Sequence, residues 1–199
     1  HLYDGYALAG ADKAGGNLNP DVYSCLPNGT EWDCDPILEL ADPWPIFENA
    51  SVVLGDSLFA IWNDPSQGEW KVLKYPWNGT EITGAGIELP FPSGGIPGNL
   101  DSDEFDNALA YTGGPSNPMY LADPLDTMNP VNVPVISPDD TLLEDLEGVT
   151  VDNGGQRIFF GLQCDTAPSE LNAACNKTIS ILQATWQEGV HHVEVWNED

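Results

Sequence analysis

The sequence predicts an all-β protein: a single antiparallel β-sandwich over residues 1–199, with long loops and one or two short helices. Three observations carry this. The stretch from Val149 to Trp196 holds three strand-like runs. Residues 51–89 read as a meander of short apolar segments joined by turn signals. Elsewhere Gly and Pro clusters break the chain at short intervals, which suits sheets joined by loops and leaves little room for long helices.

Taken in order, residues 1–50 read as irregular, punctuated by Gly15-Gly16-Asn17, Asn19-Pro20, Pro27-Asn28-Gly29 and Asp42-Pro43-Trp44-Pro45. A short helix is expected from Asp35 to Leu40, with Asp35 as N-cap and Pro36 at the first helical position. In the meander, Val52-Val53-Leu54 and Leu58 to Trp62 flank Gly55-Asp56 as a hairpin, Trp70 to Tyr75 follows, and Ile87-Glu88-Leu89 adds an edge. This meander resembles one propeller blade, but the sequence shows no repeat of it, and the chain is too short for a full ring of such blades. Residues 90–140 read as loop-rich, and Asp140 to Glu147 as one or two helical turns. In the final third, Val149-Thr150-Val151 and Arg157 to Gln163 form a hairpin around Asn153-Gly154-Gly155, followed by strands at Thr178–Trp186 and Val190–Trp196.

The net charge is −27, with only five Lys plus Arg, and the acidic residues are spread along the chain. Such a surface repels phosphate backbones and anionic lipid, so nucleic acid and membrane are excluded as partners and a soluble monomer is expected. The length suffices for one domain with a real core, and seven Trp argue against a disordered chain. Four cysteines fall into two local pairs by spacing, Cys25 with Cys34 and Cys164 with Cys175. Three connectivities exist, and the two neighbour pairs are the ones expected. No C-x-x-C occurs, so structural zinc and thioredoxin-type chemistry have no support. Four sequons, at Asn28, Asn49, Asn78 and Asn176, combine with the cysteines to suggest a secreted, extracellular glycoprotein. A secreted protein needs a leader and none is visible, so His1 is expected to be a processed N-terminus.

Several groups could carry chemistry. Strand alternation puts His191, Val193 and Val195 on one face, and His192, Glu194 and Trp196 on the other; the first set reads as buried and the second as half-polar. Asp101, Asp103, Glu104 and Asp106 are hard oxygen ligands at alternating spacing, a candidate calcium site that lacks the glycine and distal Glu of an EF-hand loop. Glu69 beside Trp70 and Glu194 beside Trp196 are the carboxylates to inspect for glycoside hydrolysis. Trp32, Trp44 and Trp77 lie in turns, where an exposed ring could stack on a sugar; Trp62, Trp70 and Trp186 lie in strand runs and read as core. There is no G-x-S-x-G, no H-E-x-x-H and no phosphate-binding glycine loop, so triad hydrolases and nucleotide chemistry are unsupported.

A free N-terminal histidine offers its α-amine and Nδ1 to one metal, and a second histidine would complete a nitrogen-rich site suited to Cu(II). On His1, one of His191 or His192, and Gln156-x-x-Phe159-Phe160-x-x-x-Cys164, the chain resembles the secreted histidine-brace copper proteins, the lytic polysaccharide monooxygenases and their non-catalytic copper-binding relatives. The resemblance implies a copper site at His1 with His192 or His191, and an axial place for Phe159 or Phe160. It also implies either oxidation of polysaccharide or copper storage and delivery. His192 is preferred, because the polar face of its strand is the one open to solvent and the chain start. The family places its second histidine mid-chain, whereas this sequence has none between His1 and His191. A site using Asp4 beside His1, or lacking a second histidine, is the variant that difference suggests. The alternatives are a metal-independent carbohydrate-active module, either a binding domain or a carboxylate glycosidase, and a structural or interaction glycoprotein.

Overall fold

A computed structural model describes residues 2–3, 5–12, 20–39, 51–64, 69–90, 99–104, 107–112, 119–137, 140, 142–143, 146–152, 157–163, 179–187 and 190–195. His1, Asp4, Trp44, Asn49, Asp106, Cys164, Cys175, Asn176 and Trp196 lie outside the described residues. The protein is all-β: the described residues form strands and turns and no helix. The chain divides into two compact units, residues 1–91 and 92–199.

The first unit holds two antiparallel sheets. One is β1 (Leu2–Tyr3), β2 (Tyr6–Asp12), β3 (Pro20–Asn28) and β4 (Glu31–Glu39), and the other is β5 (Ser51–Leu54), β6 (Ser57–Asp64), β7 (Glu69–Pro76) and β8 (Ile87–Pro90). In both, strands that follow one another in sequence lie side by side. The second sheet is the expected meander. Its first turn, Gly55-Asp56, joins Leu54 to Ser57 with Gly55 at φ 58°, a left-handed backbone that costs glycine nothing. The two sheets share a core of Leu8, Val22, Val53, Leu58 and Trp77.

The described residues of the region expected to be irregular therefore form the first sheet. Asp35-Pro36 does not start a helix, and residues 35–39 continue β4. Cross-strand pairing overrides the local capping signal. Cys25 sits directly opposite Cys34 and the two form a disulfide, so the chain leaves Cys34 already extended against β3. Pro36 pairs with Tyr23 beside a register shift, on a strand at the edge of its sheet, where a missing N–H is tolerated.

The second unit also holds two sheets. β9 (Asn99–Asp103), β10 (Ala108–Thr112), β11 (Met119–Asp123) and β12 (Asp126–Val133) form one antiparallel meander. β14 (Leu146–Val151), β15 (Arg157–Gln163), β16 (Ile179–Gln187) and β17 (Val190–Val195) form the other, and β13 (Val135–Ile136) adds a fifth, parallel strand beside β17. The expected loop between 90 and 140 thus contains five strands among its described residues, and in the stretch 140–147 the described residues show no helical turn: Leu142 bridges to Ile136, and β14 begins at Leu146. Residues from both sheets build one core, including Ala110, Met119, Val133, Val149, Ile158, Phe160, Ala184 and Val193.

The blade-like meander, which the sequence shows once, recurs as backbone topology in all four sheets. Their first strands begin at Leu2, Ser51, Asn99 and Leu146, a spacing of 47 to 49 residues. The residue at the second position of each second strand is Ala7, Leu58, Leu109 or Ile158, apolar every time and fully buried in the last three. The repeat escapes the eye because it is written in pairing and burial, while side chains and connection lengths vary between copies.

Candidate functional site

The sheet β14–β17 separates its side chains by face. Val151, Ile158, Ala184 and Val193 pair in one row across the four strands, and all are buried. Displaced by one residue, two rows lie on the opposite face. Thr150 pairs with Phe159, Phe159 with Gln183 and Gln183 with Glu194. Arg157 pairs with Thr185, Thr185 with His192, and His192 with Ile136 of β13. Thr150 and Arg157 are exposed, while Phe159, Gln183, Thr185, His192 and Ile136 are half-buried. The outcome is a sheet face with one aromatic ring among hydrogen-bonding side chains.

Arg157 is the chain's only arginine. Its Nε donates to Asp152 Oδ2 at 2.8 Å, and its backbone N–H donates to Asp152 Oδ1 at 3.2 Å. Because Asp152 N–H also donates to the Arg157 carbonyl at 3.0 Å, the guanidinium is held at the mouth of the β14–β15 hairpin. A guanidinium fixed through Nε keeps N–H groups that can meet a ligand.

The structure sorts the two histidines as alternation predicts. His191 is buried beside the core, and its backbone N–H donates to Pro134 O at 3.0 Å. Burial lowers the pKa of its imidazole, with His192 adding to the shift and Asp152 opposing it. His192 lies on the polar face. The axial candidates divide in the same way. Phe160 belongs to the core, whereas Phe159 shares the outer face with His192, two strands away and roughly 10 Å across the sheet.

Asp101 and Asp103 do share one face of β9, and both are buried. Asp101 serves a structural end: its Oδ2 accepts from Val151 N–H at 2.8 Å and its Oδ1 from Ser102 N–H at 2.9 Å, which ties β9 to β14. Burial raises its pKa, against those two hydrogen bonds. Glu104 is exposed. Among the described residues no three His, Cys, Asp or Glu side chains converge on a point that could hold a metal ion.

Among the tryptophans whose side chains are described, Trp32 meets its expectation and Trp77 does not. Trp32 is 49% exposed on β4, as its turn position suggests. Trp77 is only 4% exposed, and its Nε1–H donates to Tyr6 OH at 3.2 Å, so it is a core residue and not a sugar platform. It follows β7 directly and bridges to Ile82, which turns its ring inward. Trp70 is half-buried, and Glu69 pairs with Asp64 at the far end of β6–β7. The outer face of β14–β17 was missed as a unit. Its signal was present in the alternation of Arg157, Phe159, Gln183, Thr185 and His192, but only the strand pairing aligns them.

No protein-family model matches the chain, and no curated protein sequence does.

Proposed function

We propose that the chain is an extracellular carbohydrate-binding module that works without a metal through the outer face of β14–β17. The observation behind this reading is the double row of Thr150, Phe159 and Gln183 beside Arg157, Thr185 and His192. A sugar presents an apolar C–H face and a rim of hydroxyls. A half-buried phenyl ring serves the first, while an amide, two hydroxyls, an imidazole and a guanidinium serve the second. Placement on paired strands holds these groups at fixed spacing, which lowers the ordering cost of binding. The test is glycan-array binding in the presence of EDTA, repeated with Phe159→Ala and Gln183→Ala. Binding that survives chelation and falls at least about tenfold in each variant supports the reading, in line with ~1.4 kcal/mol per tenfold. Binding unchanged in both variants overturns it.

One observation favours a second reading, a copper site of the histidine-brace kind. His192 and Phe159 occupy the open face, and His191 and Phe160 the core. In this reading His1 and His192 supply the nitrogens, and the metal, when bound, supplies either oxidative chemistry or a transport cargo. Calorimetric Cu(II) titration with EPR tests it: tight stoichiometric binding lost in His1→Ala and His192→Ala, and kept in His191→Leu, is the expected pattern. Absence of tight binding in the unaltered protein removes the copper reading.

A further inference from the structure

Two of the four sequons lie in described turns, and they have the same sequence, Asn-Gly-Thr. Their surroundings differ. The 78–81 turn is anchored from below. Trp77 N–H donates to Asp56 O at 2.8 Å, Thr83 N–H donates to Pro76 O at 3.0 Å, and Trp77 bridges to Ile82. Above this anchor Asn78 and Thr80 are exposed, with Gly79 in a left-handed conformation at φ 100°. Asn78 Oδ1 accepts three hydrogen bonds: from Thr80 Oγ1–H at 3.0 Å, Thr80 N–H at 3.0 Å and Glu81 N–H at 2.9 Å. Three donors on one carboxamide oxygen draw electron density towards it and make the Nδ2 protons more acidic. Nδ2 itself makes only a long contact, 3.4 Å, to Glu81 Oε1.

At the other tip, Asn28 Nδ2 donates to Asp33 Oδ2 at 2.8 Å, so the nitrogen that would react is already engaged with a carboxylate. Asn28 also lies within the loop closed by the Cys25–Cys34 disulfide. Once that bond forms, the segment cannot extend into an acceptor site.

We propose that Asn78 is an N-glycan acceptor and is used in preference to Asn28. In the reaction Asn78 Nδ2 attacks the anomeric carbon of a lipid-pyrophosphate-linked oligosaccharide. A C–N bond forms and the C–O bond to the pyrophosphate breaks; the pyrophosphate leaves with that electron pair, and the Nδ2 proton passes to a base of the transferase. Nothing is oxidised or reduced. The glycan would project from an anchored, exposed turn and bury no core residue. The inference rests on the extracellular part of the proposed function, because only a chain in the secretory pathway meets such a donor.

The experiment is translation of the full chain behind a cleavable leader in the presence of endoplasmic-reticulum microsomes. Translocated chains are selected by protease protection, and each sequon is read by peptide mass after enzymatic deglycosylation in isotope-labelled water. The leader forces entry, so failure of the native protein to be secreted and failure of Asn78 to accept a glycan are separate outcomes. Expected are higher occupancy at Asn78 than at Asn28, loss of the Asn78 glycan in Asn78→Gln and Thr80→Ala, and its retention in Thr80→Ser. Protected chains unmodified at Asn78, or occupancy at Asn28 equal to or above that at Asn78, overturn the proposal.

Discussion

The two units solve one problem by different means. Each builds a core between two meanders, and the first carries a hairpin that outruns its core. From Leu26 to Pro36 the β3–β4 hairpin is exposed, Cys34 included, while Cys25, its disulfide partner, is buried. Its large apolar side chains, Leu26 and Trp32, stay exposed and add little by burial, and a covalent bond holds this end. Among the described residues of the second unit, buried polar groups tie the strands together. Asp101 accepts the Val151 N–H, and the strand pair β13–β17 is pinned by His191 N–H on Pro134 O. A disulfide is indifferent to pH in the ordinary range, whereas the buried carboxylate of Asp101 is not, so the two ties should respond differently to the medium.

The largest expected effect is common to both units. Ile158→Ala in the second core and Leu58→Ala in the first each remove a side chain that is 1% or 0% exposed. Each should cost about 3–4 kcal/mol, read by urea unfolding. A cost below about 1 kcal/mol at either site would mean that its core is not packed as described. Next comes the staple. Cys25→Ser with Cys34→Ser should cost about 2–3 kcal/mol, with hydrogen-exchange protection lost first at the end of the hairpin. Uniform loss over β1–β4 would show that the bond supports the whole sheet.

Smaller effects probe the polar ties. Asp101→Ala leaves the Val151 N–H without this acceptor and should cost about 1–3 kcal/mol. Asp101→Asn keeps an acceptor oxygen, and its effect should depend on pH. The folded pKa of Asp101 is raised, so its contribution is present below the unfolded carboxylate value and lost as pH rises through the folded value. The Asn variant should therefore gain on the parent as pH increases from acid to neutral.

His191 works in the opposite sense. Its folded pKa lies below the ordinary 6.5, so its contribution is present above 6.5 and lost as pH falls through the folded value. Thermal melts from neutral to acid pH should show that loss in the parent and a flatter profile in His191→Leu. Parallel profiles would mean that other groups govern acid stability. The smallest effect is expected on the surface. Lys71→Ala breaks an ion pair of 2.9 Å with an exposed Glu88 and should change stability by no more than about 1 kcal/mol.

The sequence by itself determined that the protein is all-β, and it located the strands wherever apolar alternation is clean. The meander at 51–89 and the three runs after Val149 are where they were read. It also assigned His191 to the buried face and His192 to the open one, because alternation with period two needs no tertiary information. Tertiary structure decided the rest. β4 is a strand because pairing with β3, fixed at Cys25–Cys34, outweighs the helix-capping signal of Asp35-Pro36. β9 is a strand although it reads as an acidic loop. Of its two inward aspartates, Asp101 accepts from Val151 N–H, a partner that only the fold supplies. The fourfold recurrence of the meander and the polar face of β14–β17 share one cause: both are properties of which strands pair and in what register. Register is set by long-range backbone hydrogen bonds and the burial they permit, so residues far apart in sequence become neighbours on a face only after folding.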